Sequence, residues 1–213
     1  MKVCIILNGE IKEYKAIREV LSTEKYDCII CADGGANHAY IMEITPNYII
    51  GDLDSVKGNI VKYYENLNVE FEKFPSRKNE TDTELCIYLA KKLKATEIHF
   101  VGALGKRVDH MIANINLLYY VRMQSIIPKI ISESEEIYIA SNEEIIICGN
   151  KGDTISVIPI NGNANSVTIS NLEYPLENYD MKFYLPLGIS NVMLENECKI
   201  KVDDGSLLII KNM

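Results

Sequence analysis

From residue 1 to about residue 133, short apolar runs alternate with stretches of helical character, and beyond Ser134 the alternation stops. No other property of the chain narrows its fold as far. The apolar runs cover residues 3–7, 28–31, 48–50, 69–74, 97–101 and 129–131. Between them, residues 13–22, 35–42, 56–67, 82–93 and 108–123 read as helices. Parallel strands need a crossover of a dozen or more residues, usually a helix. The pattern therefore predicts a parallel sheet with helices on both faces, and a ligand site outside the carboxyl ends of the strands where their order switches. After residue 134 the runs are 137–140, 144–148, 154–159, 166–170, 182–185, 199–202 and 206–211. Turn signals such as Gly149-Asn150-Lys151-Gly152, Asn161-Gly162 and Asp204-Gly205 lie between them, so this half predicts an antiparallel sandwich or barrel.

Composition excludes several functions. Of 213 residues, 47% are hydrophobic and 24% charged, ordinary values for globular chains. The net charge of -8 argues against a nucleic-acid partner, which needs a basic face. An acidic protein can still bind polyphosphate if a metal ion neutralises both sides. No apolar run approaches the ~20 residues of a membrane span. Residues 1–9 read as a first strand, since their apolar stretch is too short for a signal peptide. The six cysteines sit mostly in apolar runs, where a free thiol behaves as a small hydrophobe. Cys28 and Cys31 have redox-motif spacing, but within a strand their side chains face opposite sides. A reducing, cytoplasmic compartment is expected.

Four polar clusters fall at the expected carboxyl ends of the parallel strands. The first is Asp33-Gly34-Gly35-Ala36-Asn37. Paired glycines admit a ligand close to the backbone, and a helix starting there aims N–H groups at an anion; a tight turn with Asp33 as cap is the other reading. The second is Gly51-Asp52-Leu53-Asp54-Ser55. Strand alternation puts both aspartates on one side with Cα atoms roughly 7 Å apart. Two carboxylates so placed can converge on Mg²⁺ and raise each other's cost of ionisation without it. The alternative is a strand-to-helix turn capped by Asp54 or Ser55. In the third, Thr81 and Glu84 have capping-box spacing and Asp82 sits in the first turn, which local helix chemistry alone explains. Nearby Ser76-Arg77-Lys78 offers cations for phosphates or forms a solvated loop.

The fourth cluster runs from Gly102-Ala103-Leu104-Gly105-Lys106-Arg107 through Val108-Asp109-His110 to Asn114. A glycine loop again leads into a helix, and Arg107, His110 and Asn114 share one helical face. His38 and His99 lack such company and read as structural. The chain has neither a Gly-x-x-x-x-Gly-Lys-[Ser/Thr] loop nor a Gly-x-Gly-x-x-Gly after the first run. Its phosphate chemistry is thus not that of a P-loop NTPase or a standard Rossmann dehydrogenase.

Taken in order, Cys31-Ala32-Asp33-Gly34-Gly35-Ala36-Asn37, Gly51-Asp52-Leu53-Asp54-Ser55, Thr81-Asp82 and the segment from Gly102 to His110 closely resemble the thiamine pyrophosphokinases. Asn171-Leu172-Glu173-Tyr174-Pro175-Leu176 and Gly188-Ile189-Ser190-Asn191 are similar to that family's thiamine-contacting segment. The resemblance implies a Rossmann-like α/β ATP-binding catalytic domain over residues 1–133 and an antiparallel β-sandwich binding thiamine over 134–213. It implies transfer of the pyrophosphoryl group of ATP to the thiamine hydroxyl, giving thiamine diphosphate and AMP, by a homodimer with thiamine between subunits. Asp52, Asp54 and Asp82 would hold Mg²⁺ and the phosphates, with Arg107 beside them in catalysis. Asp33, Gly34, Gly35, Asn37, Lys78, Thr81, Arg107, Asp109 and His110 would form the ATP site. Tyr174, Ser190 and Asn191 would line the thiamine site. Two departures stand out: Asn79 replaces the family's common aspartate, and Tyr174 replaces a frequent Trp, a stronger cation–π partner.

The chemistry is coherent on physical grounds, because phosphoryl-type transfer depends mainly on alignment and charge neutralisation. An Asp-based phosphohydrolase would also use paired aspartates and Mg²⁺, but it would place a nucleophilic Asp after the first strand, where this chain has Asn8-Gly9-Glu10. A non-catalytic nucleotide or thiamine sensor would keep the glycine loops yet have no need of all three of Asp52, Asp54 and Asp82.

Overall fold

Val3, Cys4, Ile5 and Ile6 are each wholly buried, as consecutive residues of a central parallel strand must be when helices cover both faces. In the computed structural model, which describes residues 1–75 and 79–212, the chain divides into two units, Met1–Glu133 and Ser134–Met213. The expectation for Lys78 lies outside the described residues.

The first unit runs β1 (Lys2–Ile6), α1 (Tyr14–Glu24), β2 (Cys28–Ala32), α2 (Gly35–Ile41), β3 (Tyr48–Gly51), α3 (Gly58–Asn66), β4 (Glu70–Lys73), α4 (Asp82–Lys92), β5 (Glu97–Val101), α5 (Val108–Arg122) and β6 (Ile127–Ile131). All pairings among these strands are parallel, in the order β6-β5-β1-β2-β3-β4. The chain steps outward from β1 to β4 and then returns to the far side of β1 with β5. That reversal opens a crevice at the carboxyl ends of β1 and β5, the place where open α/β sheets bind ligands. Helix α1 buries Ile17 and Leu21 and α3 buries Ile60 and Tyr64, each pair four residues apart on one face. Tyr64 donates its hydroxyl to the Ile44 carbonyl at 2.8 Å, which satisfies the polar end of a fully buried ring.

Two expectations about α3 fail. The helix begins at Gly58 rather than Val56, and its N-cap position, Lys57, carries no side-chain cap. Ser55 does not cap it, because its hydroxyl donates to Asp54 Oδ1 at 2.9 Å instead. The capping box of Thr81 and Glu84 is present at the start of α4.

The second unit consists of β7 (Glu135–Ser141), β8 (Glu144–Cys148), β9 (Thr154–Pro159), β10 (Ala164–Ser170), β11 (Leu176–Met181), β12 (Asn191–Val192), β13 (Glu197–Lys201) and β14 (Ser206–Asn212). β12, β9, β14 and β7 form one antiparallel layer, and β11, β10, β13 and β8 form the other. Their inner faces meet in one core, with Ile155, Val157, Leu207 and Ile209 from the first layer against Val167, Ile169, Cys198 and Ile200 from the second. This is a β-sandwich. The strand expected over 182–185 is absent; these residues lie in the loop and turn that follow β11, and Phe183, Tyr184 and Leu185 are exposed. β11 was invisible to hydrophobic alternation because Glu177, Asn178, Tyr179 and Asp180 all face solvent.

Candidate active site

The crevice at the switch point is built by two loops stitched together through their backbones. Leu7 N–H donates to Val101 O at 2.8 Å, Gly9 N–H to Gly102 O at 2.7 Å and Glu10 N–H to Leu104 O at 2.9 Å. Gly102 has φ +66, and a Cβ there would lie 2.6 Å from the Leu7 carbonyl oxygen, so both conformation and space demand glycine. Lys106 donates from Nζ to Asn8 O at 2.8 Å, and Asn114 on α5 donates to Ala103 O at 2.8 Å. His38 supports the loop from beneath. Its Nε2 donates to Gly9 O at 2.9 Å, which leaves Nδ1 to accept from the Tyr14 hydroxyl at 2.8 Å. Burial lowers its pKa and keeps it neutral. His99 is structural too, held between Tyr26 and Glu97, with burial pushing its pKa down to about 4.

Beyond this crevice the ends of β2 and β3 bring three carboxylates together. Ligand oxygens of Asp33, Asp52 and Asp54 all lie within 4.8 Å of one another. Asp33 sits in the left-handed region at φ 42, is 8% exposed, and its Oδ1 has no hydrogen-bond partner among the described residues. Burial raises its pKa above the usual carboxylate value; Ser55 and the Gly34 N–H oppose that shift, and the charges of Asp82 and Asp54 add to it. A buried, unpartnered carboxylate oxygen beside two further carboxylates has the chemistry of an incomplete hard-cation shell, and Mg²⁺ fits that donor set. The loop carrying Asp52 and Asp54 is fixed by Asn37, whose amide donates to Ser55 O at 2.8 Å and accepts from Lys57 N–H at 3.1 Å. Asp82 stands across Gly51 from Asp33: a Cβ on Gly51 would meet Asp33 Cβ at 2.9 Å and Asp82 Oδ1 at 3.3 Å.

Crevice and carboxylates open into one cleft of about 1180 Å³ within the first unit. Among the expected site residues, Asp33, Asp52, Asp54, Thr81, Asp82, Arg107 and His110 line it. Others are occupied by the scaffold. A Cβ on Gly34 would lie 2.3 Å from Asn8 Nδ2, and one on Gly35 would lie 2.0 Å from Ile6 O, so this pair lets α2 press onto the end of β1. Asn37 is committed to the aspartate loop. Asp109 binds the Arg107 guanidinium through both oxygens, at 3.1 and 2.5 Å, and that partner holds its carboxyl down at about 2. The sequence reading placed Asp33 in the ATP site and assigned no role to Asn8 or Lys106, which also line the cleft. Lys106 follows a glycine directly, a visible signal; the grouping of Asp33 with Asp52 and Asp54 depends on adjacent strand ends and has no local one.

In the second unit Asn191 is 6% exposed and clamps the loop at residue 174: its amide donates to Tyr174 O at 2.7 Å and accepts from Tyr174 N–H at 2.9 Å. Tyr174 itself is 66% exposed. Ser190, at φ 58, donates its N–H to Ser156 Oγ at 3.1 Å and leaves its own side chain exposed.

Comparison with known proteins identifies the family and the fold. The thiamin pyrophosphokinase catalytic domain matches residues 20–131, and the thiamin pyrophosphokinase vitamin B1 binding domain matches residues 134–207. Thiamine pyrophosphokinase 1 of Oryza sativa subsp. japonica is 29% identical over 206 residues, covering 85% of this chain and 77% of the relative. Thiamine pyrophosphokinase of Bacillus subtilis is 25% identical over 191 residues, covering 89% of each. Solved structures of the thiamine pyrophosphokinases of Bacillus subtilis and Candida albicans superpose with TM-scores of 0.88 and 0.86 at 24% and 20% identity. They cover all of this chain and 99% and 88% of their own, a likeness of fold.

Proposed function

Since the chain belongs to the thiamine pyrophosphokinase family, we propose that it transfers the pyrophosphoryl group of ATP to the hydroxyl of thiamine in a Mg²⁺-dependent reaction. The observation that carries this reading is the convergence of Asp33, Asp52 and Asp54 around a buried unpartnered oxygen, in the same cleft as Lys106 and Arg107. Asp33, Asp52 and Asp54, with Asp82 beside them, would hold Mg²⁺. When bound, the ion neutralises phosphate charge and polarises the phosphorus under attack.

The thiamine oxygen forms a bond to the β-phosphorus, the bond from that phosphorus to the α-phosphate oxygen breaks, and AMP leaves. The hydroxyl proton passes to a carboxylate of the cleft. Lys106 and Arg107 lie at the glycine loop, where their charges oppose the negative charge of the phosphates. Arg107 arrives paired with Asp109, so the pair orients the guanidinium before the nucleotide binds. His110 lies one helical turn along α5 on the same wall of the cleft. Tyr174 and Ser190 contact thiamine, with Asn191 fixing the loop that carries the tyrosine. Thiamine's permanent positive charge is attracted by a chain of net charge -8.

The active form is a homodimer with thiamine at the subunit interface, which the exposed apolar residues Phe183, Tyr184, Leu185 and Leu187 of the second unit support. The six free thiols suit the cytosol, and no helix among the described residues is long and apolar enough to cross a membrane. Incubation with ATP, Mg²⁺ and thiamine tests the reading. AMP and thiamine diphosphate are the expected products; ADP, or phosphate release without thiamine, overturns it.

A further inference from the structure

The cleft is larger than the carboxylates and glycine loops require, and its remaining wall has a different character. Along α5, Ala113, Asn116, Leu117 and Tyr120 line it at spacings of three and four residues, which places them on one helical face. Tyr88, on α4, lines it as well and is 43% exposed. This wall has two aromatic rings, one leucine, one small residue that leaves room, and one amide. A polyphosphate has nothing to gain there, whereas a flat heteroaromatic ring has.

Two aromatic ligands compete for such a wall under the proposed reaction: the adenine of ATP and the cationic rings of thiamine. Charge separates them. Lys91 holds its ammonium 5.6 Å from the centre of the Tyr120 ring and is fixed there by a 2.7 Å hydrogen bond to Gln124 Oε1. A permanent cation stacked on Tyr120 would meet a like charge across the ring, and a neutral purine would not. An asparagine amide also offers a donor and an acceptor side by side, the pattern that pairs with adenine's N6–H and an adjacent ring nitrogen.

We propose that the groove between α4 and α5 seats the adenine base of ATP, with Tyr120 and Tyr88 as stacking surfaces and Asn116 reading the base edge. The assignment rests on the ATP-dependent reading above and makes Tyr120 and Asn116 determinants of nucleotide specificity. ATP then lies along the cleft with its base on this wall and its phosphates toward Asp33, Asp52 and Asp54.

The test combines steady-state kinetics on the full chain with isothermal titration of AMP in the absence of thiamine. Tyr120→Ala should raise KM for ATP and Kd for AMP roughly tenfold, within the range for a base stacked on an aromatic side chain. KM for thiamine should change less than twofold. Tyr120→Phe, which keeps the ring, should recover most of that loss. Asn116→Ala, at an exposed position, should narrow the preference for ATP over CTP without unfolding the chain. An unchanged ATP KM in both alanine variants overturns the assignment, as does a rise in thiamine KM alone. If the wild-type protein turns over no thiamine, the reaction is refuted, and AMP titration of the same variants still decides where the base sits.

Discussion

Asp33→Asn should make the metal-free protein more stable and at the same time remove its response to Mg²⁺. Asparagine has nearly the same shape as aspartate and tolerates the left-handed φ of 42 found at this position, so the change removes charge with little strain. The carboxylate oxygens of Asp33, Asp52 and Asp54 lie within 4.8 Å of one another. At that separation two unit charges repel by about 0.9 kcal/mol at the dielectric of water and by about 3.5 kcal/mol at an effective dielectric of 20. Asp52 is only half-buried and Asp54 is exposed, which puts the gain near the lower figure, about 1 kcal/mol. For a cooperative unit of this size that raises Tm by roughly 3–5 °C. Burial raises the pKa of Asp33 above 3.8, so the native state keeps its proton longer than the unfolded chain does. Stability of the wild type in chelator should therefore fall as pH rises from about 3.8 to the raised value, and the variant should lack that fall. Differential scanning calorimetry in EDTA and in Mg²⁺ reads both effects. Mg²⁺ at one hundred times its Kd adds about 2.7 kcal/mol to the wild type, and the variant should lose most of that. A variant that melts earlier in EDTA, or keeps the whole Mg²⁺ shift, refutes the carboxylate-shell reasoning.

Asp52→Asn should lower turnover by at least ~10²-fold while leaving the circular dichroism spectrum intact; near-normal turnover would remove Asp52 from the machinery. Gly35→Ala would put a methyl group 2.0 Å from the Ile6 carbonyl oxygen, a backbone atom that cannot step aside, so denaturant unfolding should report a loss of about 1–3 kcal/mol or failure to fold. Asn191→Ala removes a two-way clamp from the Tyr174 backbone and should cost about 1–3 kcal/mol of stability, with thiamine KM rising more than ATP KM.

The first unit was largely legible because its inner strands β1, β2, β3 and β5 are buried almost throughout and its helices fill the gaps between them. β5, for example, is expected at 97–101 and found at Glu97–Val101. The second unit was legible only where one face of a strand is buried. β10 alternates buried and half-buried residues and is found close to its expected place, whereas β11 exposes four residues in succession and was replaced in the reading by the apolar but exposed segment that follows it. Hydrophobicity reports burial, and Phe183 and Tyr184 are apolar residues that the single chain does not bury.

The site motifs divide in a way that pattern matching does not reveal. Within Asp33-Gly34-Gly35-Ala36-Asn37 only Asp33 lines the cleft; the glycines admit β1 and its following loop, and Asn37 holds the neighbouring aspartate loop. Within Gly188-Ile189-Ser190-Asn191 the asparagine is spent on the backbone of Tyr174. Both asparagines use the two ends of one amide to tie a loop to a rigid element, since a neutral amide can donate and accept at once and a carboxylate cannot. A motif of this kind thus encodes a chemical group together with the device that fixes its position. Kinetics separate them: loss of a carboxylate at the reacting atoms falls on turnover, while loss of a clamp falls on stability and on the KM of the ligand whose loop it held.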